Sequence, residues 1–426
     1  MLHPLQTPQH ASSSSTTPLR SAAGKMVVPA TPPPQHWMMG TEAFNSVMPH
    51  HGGIEALWET KWKLPCTKAV YPFHDGAYED FEPVFRDLIA SGVNDGSGTS
   101  PEYTRAFLAT AEELEHRGDA EADPEEASKL YLRAACVLRI ARFPYIGLHP
   151  GTHHVDLVKW DAWERQKKVY MKAARTWESP IEELHIPHTF RQGADGDSIP
   201  VYVRIPSEKA TSLPDGVQAN GNQKHKHPVV ILLTGLDGYR PDNTVRTEEF
   251  VSRGWAAVVF EIQGTADSPA DPSDPASGDR LLDSVFAWID TRKDDLDASR
   301  VLLWGLSSGG YHAVRAAHTH RERLRGVVAQ GAGVHHFFDR DWLARADGHE
   351  YPFQLTPAMA AKHGYGSAEE FAEEAQGKFS LLELGVLQMP ATRLLLINVS
   401  NNDKNPAFKM WPPYVVCCVS VWRNVC

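Results

Sequence analysis

Hydrophobic residues recur at helical spacing through the first part of the chain and later gather into short continuous runs. In EYTRAFLATAEELEHRG, Phe107, Leu108, Ala111 and Leu114 return every three or four residues and so share one helix face. DPEEASKLYLRAACVLRIARFPY predicts a second helix. Asp123 suits its N-cap, Pro124 its first turn, and Pro144 ends the run. Residues 155–178 predict a third, closed by Pro180. Residues 41–178 are therefore expected to form a helical cap or lid domain.

The period changes after Pro180. IEELHIPHTF, a turn at Ala194-Asp195-Gly196-Asp197 and SIPVYVRIP predict a β-hairpin, and residues 207–227 read as an exposed loop. Five apolar runs follow: VVILLTG (229–235), AAVVFEI (256–262), VLLWG (301–305), GVVAQGA (326–332) and RLLLIN (393–398). Runs without alternation imply strands buried on both faces, hence a parallel sheet. Leu282, Val285, Phe286 and Ile289 mark one covering helix. Residues 333–390 interrupt the series and are expected to add to the lid. A hairpin feeding a parallel βαβ series over 179–398 predicts the core of an α/β-hydrolase.

Candidate chemistry sits where VLLWG runs into Gly305-Leu306-Ser307-Ser308-Gly309 and then a helical GYHAVRAAHTH. This is G-x-S-x-G between strand and helix, the nucleophile elbow that projects a serine hydroxyl from the sheet's carboxyl edge. Ser307 is the expected nucleophile, and the N–H of Ser308 one oxyanion donor. The second donor is expected from the loop Gly235–Asp242, at Leu236 or Asp237. Tyr239, Arg240 and His335 are candidates to line the substrate pocket. Asp267 reads as a solvated loop acid.

In this fold the triad runs in the order serine, acid, histidine. The last histidine is His363, ahead of RLLLIN, so no base stands where one is expected. Asp403 is a candidate acid. Residues 399–426 show no strand–helix period and hold Cys417, Cys418 and Cys426. The C-terminal part of the sheet is thus expected to be truncated, with an apolar edge exposed. Val399-Ser400 can be encoded by GTGAGT, a common splice-donor sequence, so residues 399–426 read as a translated intron. Sequencing the transcript across these codons tests this.

Composition narrows the class only a little. The chain has 426 residues, 42% hydrophobic and 22% charged, with formal net charge -11, which disfavours a nucleic-acid partner. Five cysteines are too few and scattered for a disulfide framework, so a reducing cytoplasmic setting is expected. No run of eighteen apolar residues predicts a membrane span. Residues 1–40 are Ser-, Thr- and Pro-rich with no acid before Glu42, and read as a disordered leader whose true start could be Met26, Met38 or Met39. His50-His51, His153-His154 and His335-His336 lack the i, i+4 spacing of a helical metal site, so no metal is expected.

The segments HGGIEALWETKWKL, YPFHDGAYEDFEPVF, TGLDGYRPDN, EIQGTADSPADPSDPAS, WGLSSGGYHAVRAAHTHRERL and HEYPF resemble the yellowish-green-type heptaketide hydrolases of fungal melanin biosynthesis. The resemblance covers about residues 37 to 398. It implies a polyketide-shortening α/β-hydrolase that releases acetoacetate from a naphthopyrone heptaketide to leave tetrahydroxynaphthalene. It also implies a small-molecule polyketide substrate and no cofactor, with a homodimer allowed. The alternatives are a general carboxylester hydrolase and a catalytically dead hydrolase-fold protein.

Overall fold

Strands covered on both faces can be apolar throughout, and the five runs behave this way. The computed structural model describes residues 40–93, 98, 100–146, 156–207, 226–399 and 417–422. The expected hairpin is β1 (Ile181–Pro187) with β2 (Ser198–Arg204). The runs become β3 (His227–Leu233), β4 (Ala256–Phe260), β5 (Leu296–Leu306), β6 (Gly326–Gln330) and β7 (Leu394–Val399). With β8 (Cys417–Trp422) they complete an eight-stranded sheet in the order β1-β2-β4-β3-β5-β6-β7-β8. Strands β3 to β7 pair in parallel, whereas β2 pairs β4 antiparallel.

The last strand departs from expectation. The tail was expected to leave β7 as an exposed edge; instead β8 pairs antiparallel with it, from Val399 opposite Cys417 to Leu394 opposite Trp422. Val419 and Val421 supply the β-branched composition that strands favour. Residues 1–39, most of the 207–227 loop, His153, His154 and Asp403 lie outside the described residues.

The N-terminal part is helical. Short helices α1 (Gly40–Asn45), α2 (Ile54–Leu57) and α3 (Lys63–Thr67) precede α4 (Tyr78–Ser91), α5 (Pro101–Ala120), α6 (Pro124–Ala141) and α7 (Leu157–Ala174). Asp123 caps α6 by accepting from the N–H groups of Glu125 and Glu126, and Asp156 caps α7 in the same way. These N-terminal helices, called the cap below, pack around Trp62, whose ring meets Phe73, Phe85, Phe143 and Phe353 edge-on. Each such fully buried ring contributes roughly 1.5–3 kcal/mol relative to exposure. Cys66 and Cys136 are buried, free thiols in this region, and burial pushes the Cys66 thiol up to about 12.

The sheet divides its two faces between cap and helices. Tyr202, Leu232 and Val259 join the aromatic cluster of the cap. Ile231, Val258 and Leu303 face the opposite way, onto Leu282, Val285, Phe286 and Ile289. Those four belong to α9 (Ser277–Thr291), which follows α8 (Thr244–Ser252). After β5 comes α10 (Ser308–Thr319), and between β6 and β7 the insertion supplies α11 (Arg340–Ala346), α12 (Leu355–Lys362) and α13 (Ala368–Phe379).

One buried carboxylate ties cap to sheet. Asp242, after β3, accepts from Arg139 Nε at 2.7 Å and Arg142 Nη2 at 2.5 Å, both on or just past α6. It also accepts from Gln166 Nε2 of α7 at 2.7 Å and the N–H of Tyr239 at 2.8 Å. Burial disfavours the ionised carboxyl, but the two guanidinium groups outweigh it and hold Asp242 well below the usual carboxylate range. Asp242→Ala would leave the buried Arg142 without a carboxylate and Arg139 with Asp75 alone, at 3.8 Å, and should cost about 3–5 kcal/mol in denaturant-unfolding stability. Because the folded carboxyl is the stronger acid, its contribution is complete above an unfolded value near 3.9 and fades as pH falls below it. Asp242→Asn should therefore flatten the acid limb of a stability-against-pH curve, and an unchanged limb would contradict the assignment.

Candidate active site

Strand β5 ends in the elbow, and the elbow forces Ser307 into a conformation side chains rarely adopt. Its φ is 54° and ψ -122° at the N-cap of α10, while its N–H donates to the carbonyl of Gln330 at 2.7 Å. A non-glycine residue at positive φ is held there by its surroundings and marks a functional candidate. The tightness explains the motif: a Cβ at Gly309 would come within 2.3 Å of the Thr234 carbonyl and 2.4 Å of that of Leu233. Only glycine lets α10 pass this close to β3.

The loop after β3 lies against the serine. A Cβ on Gly235 would stand 3.2 Å from Ser307 Oγ. Leu236, next along, is buried and shares a cavity wall with Ser307 and Ser308. The N–H of Ser308 begins α10, and N–H groups of a helix's first turn have no partner within the helix.

Ser307 opens into a cavity of about 250 Å³. Tyr311, Phe337, Phe338 and Trp342 make its aromatic wall, and Leu355, Met359, Lys362 and His363 of the insertion close another side. The segment His349–Tyr351 completes it, fixed from the cap. The Tyr351 hydroxyl donates to the carbonyl of Pro144 at 2.6 Å, and ring nitrogens of His50 and His51 bond the carbonyls of Tyr351 and His349 at 3.0 and 2.7 Å. The His50-His51 pair therefore braces the cavity roof. Burial and the nearby Lys61 push His50 down to about 4, so it does this as a neutral ring.

The sequence profile described as "alpha/beta hydrolase fold" matches residues 228–372. The solved structure of a 2,6-dihydroxy-pseudo-oxynicotine hydrolase superposes with a TM-score of 0.55 over 76% of this chain and 78% of its own, at 19% identity. The chain has the α/β-hydrolase fold. "Esterase FrsA" of Yersinia enterocolitica is 22% identical over 295 residues, covering 66% of this chain and 61% of its own. "Alpha/beta hydrolase ucsC" of Acremonium sp is 24% identical over 268 residues, 60% of this chain and 50% of its own. "Quorum-quenching protein AidA" of Acinetobacter baumannii is 32% identical over 106 residues, 24% of this chain and 34% of its own. Each alignment spans less than two thirds of the relative's length.

Within this hydrolase fold the sequence candidates part company. Ser307, Ser308 and Leu236 meet at one cavity. The Asp237 side chain turns away from the cavity: its carboxylate accepts from the Tyr71 hydroxyl at 2.8 Å, and its carbonyl from Arg142. Tyr239 and Arg240 do not line the Ser307 cavity. The Tyr239 hydroxyl accepts from the N–H of Ile146 at 2.7 Å beneath the Arg142 guanidinium, and Arg240 pairs with Glu261 and Asp267. Asp267 is likewise not a solvated loop acid but a partner of Arg240 and Lys167. Burial opposes its ionisation, yet those two cations hold it below the usual range, whereas burial pushes Glu261 above it. His335 turns from the cavity to Ser380 and Gln376, where Nδ1 lies 2.7 Å and 2.8 Å from their polar atoms.

Sequence reasoning missed Lys362, His349 and His363 as cavity residues. Their signal was slight: the insertion carries HEYPF and KHG without a motif that fixes which side chains turn inward. Among the described residues, no side chain hydrogen-bonds Ser307 Oγ, and no group of three His, Cys, Asp or Glu could hold a metal ion. No helix among them is long and apolar enough to cross a membrane.

Gly309→Ala tests the elbow. Overpacking against two fixed carbonyls should cost about 1–3 kcal/mol, read as a lower urea midpoint, with the aromatic cap signal retained. A variant as stable as the parent would mean that α10 can move away from β3.

Proposed function

We propose that the chain is a serine-dependent acyl hydrolase of the polyketide-shortening kind, acting on a naphthopyrone heptaketide in pigment (dihydroxynaphthalene-melanin) biosynthesis. The observation that carries this reading is Ser307, strained at the elbow and opening into an aromatic-walled cavity. A flat polycyclic phenol suits such walls. The Yersinia and Acremonium relatives, named as an esterase and an α/β hydrolase, support acyl chemistry more broadly.

In the proposed reaction, Ser307 Oγ bonds to the side-chain ketone carbon as its proton leaves to a base. His349 and His363 are the described histidines lining the cavity. The N–H groups of Ser308 and Leu236 (or Asp237) would stabilise the oxyanion, each contributing about 3–4 kcal/mol. Collapse breaks the carbon–carbon bond. The electron pair leaves on the aromatic carbon, which takes up a proton to give tetrahydroxynaphthalene. Water then hydrolyses the acyl-serine, releasing acetoacetate and restoring the hydroxyl. No step requires a cofactor.

A general carboxylester hydrolase would use the same serine, and product analysis with heptaketide against simple aryl esters separates the two. A third reading, a hydrolase fold that binds without cleaving, is favoured by one observation: among the described residues Ser307 Oγ has no hydrogen-bonded base. Asp403, the candidate acid, lies outside those residues.

A fluorophosphonate probe distinguishes activity from mere fold. Labelling should occur at Ser307, and Ser307→Ala should abolish it and lower kcat by about 10⁴-fold or more while the protein still folds. An unlabelled wild-type chain, inert toward heptaketide and aryl ester alike, would sink the hydrolase reading.

A further inference from the structure

The Ser307 cavity contains one ionisable group that its apolar walls do not explain. Lys362 ends α12 with 1% of its surface exposed, yet its side chain lines the cavity. Its backbone is fixed from behind, because its carbonyl packs where a Cβ at Gly264 would sit. The ammonium has no hydrogen bond or ion pair to any described residue. Lys167, only half-buried, already has two carboxylates beside it, Glu164 at 3.0 Å and Asp267 at 3.1 Å.

Among the described residues, the one carboxylate in the cavity lining is already paired with another lysine: Glu350 lies 3.7 Å from Lys61. The titratable neighbour across α10 is His312, itself buried and kept neutral, with Nε2 lacking a hydrogen-bond partner. The other ionisable groups facing the cavity are Tyr311, His349, Tyr351 and His363.

We propose that Lys362 is the group by which this cavity recognises an anionic oxygen of its substrate, whether carboxylate, enolate or phenolate. The idea deepens the acyl-hydrolase reading and rests on it for the claim that substrate fills the Ser307 cavity. A ligand that fills a space this small touches both Ser307 and Lys362. Burial alone pushes the Lys362 amine down to about 7, so near neutral pH it can be free base or ammonium. An acidic O–H entering the cavity can therefore pass its proton to Nζ, leaving O⁻ beside NH₃⁺ with charge and proton balanced. A neutral isostere gives the amine no charged partner. Selection for substrates with an ionisable oxygen near the reacting carbonyl follows.

The test uses the full chain carrying Ser307→Ala, so that nothing turns over, with 2-naphthoate and methyl 2-naphthoate as calorimetric probes. The parent should prefer the carboxylate by about tenfold at pH 6.5, the scale of one charge-assisted hydrogen bond. The preference should shrink as pH rises through 8, where the ammonium is lost. Lys362→Met, which keeps the other ionisable groups, should erase both the preference and its pH dependence. Lys362→Gln serves if the Met variant does not fold. No preference in the parent, including no binding of either probe, or a preference that survives loss of the lysine, overturns the proposal. Aryl-ester turnover by wild type without the naphthoate preference would retain the hydrolase and discard this role for Lys362. The preference without turnover would do the reverse.

Discussion

Asp242 is the constraint on which the arrangement of cap, loop and cavity depends. A carboxylate this deeply buried is tolerable only because two guanidinium groups, an amide and a backbone N–H surround it. Those partners come from α6, α7 and the loop after β3, so satisfying one charge fixes three elements relative to each other. The same arginines do more. Arg142 donates to the carbonyl of Asp237, and Arg139 to those of Pro72 and His74. The loop that lies against Ser307 is thereby held from the cap side, not only from its own strand.

This arrangement accounts for what sequence could and could not show. Hydrophobic period reports burial directly, so the parallel strands and the helices α5, α6, α7 and α9 were legible, the helices from residues such as Phe107, Leu282 and Val285. The elbow was legible because G-x-S-x-G encodes a steric demand, visible here in the space denied at Gly309. Tyr239 and Arg240 misled for a physical reason. Their place beside the expected oxyanion loop suggested contact with substrate, but an arginine facing Glu261 and Asp267 gains far more from those partners than from a cavity. Nothing in a single sequence pairs Arg240 with Asp267, or His335 with Ser380, across intervening elements. Strand β8 leaves no strand–helix period in the sequence, because an antiparallel return to β7 needs no helix.

Two buried charges in this molecule are handled in opposite ways, and the contrast bears on function. At Asp242, desolvation is offset by fixed cations and the group stays ionised. At Lys362, desolvation meets no fixed anion and the amine is drawn toward its neutral form. The first arrangement is complete in the folded chain and serves architecture. The second is incomplete without something else in the cavity. A folding requirement alone would favour replacing such a lysine by a methionine of similar length, because burying an amine without a partner is unfavourable in either protonation state. The position of that unmet demand, on the wall of the cavity that Ser307 enters, ties it to whatever the cavity receives rather than to the stability of α12.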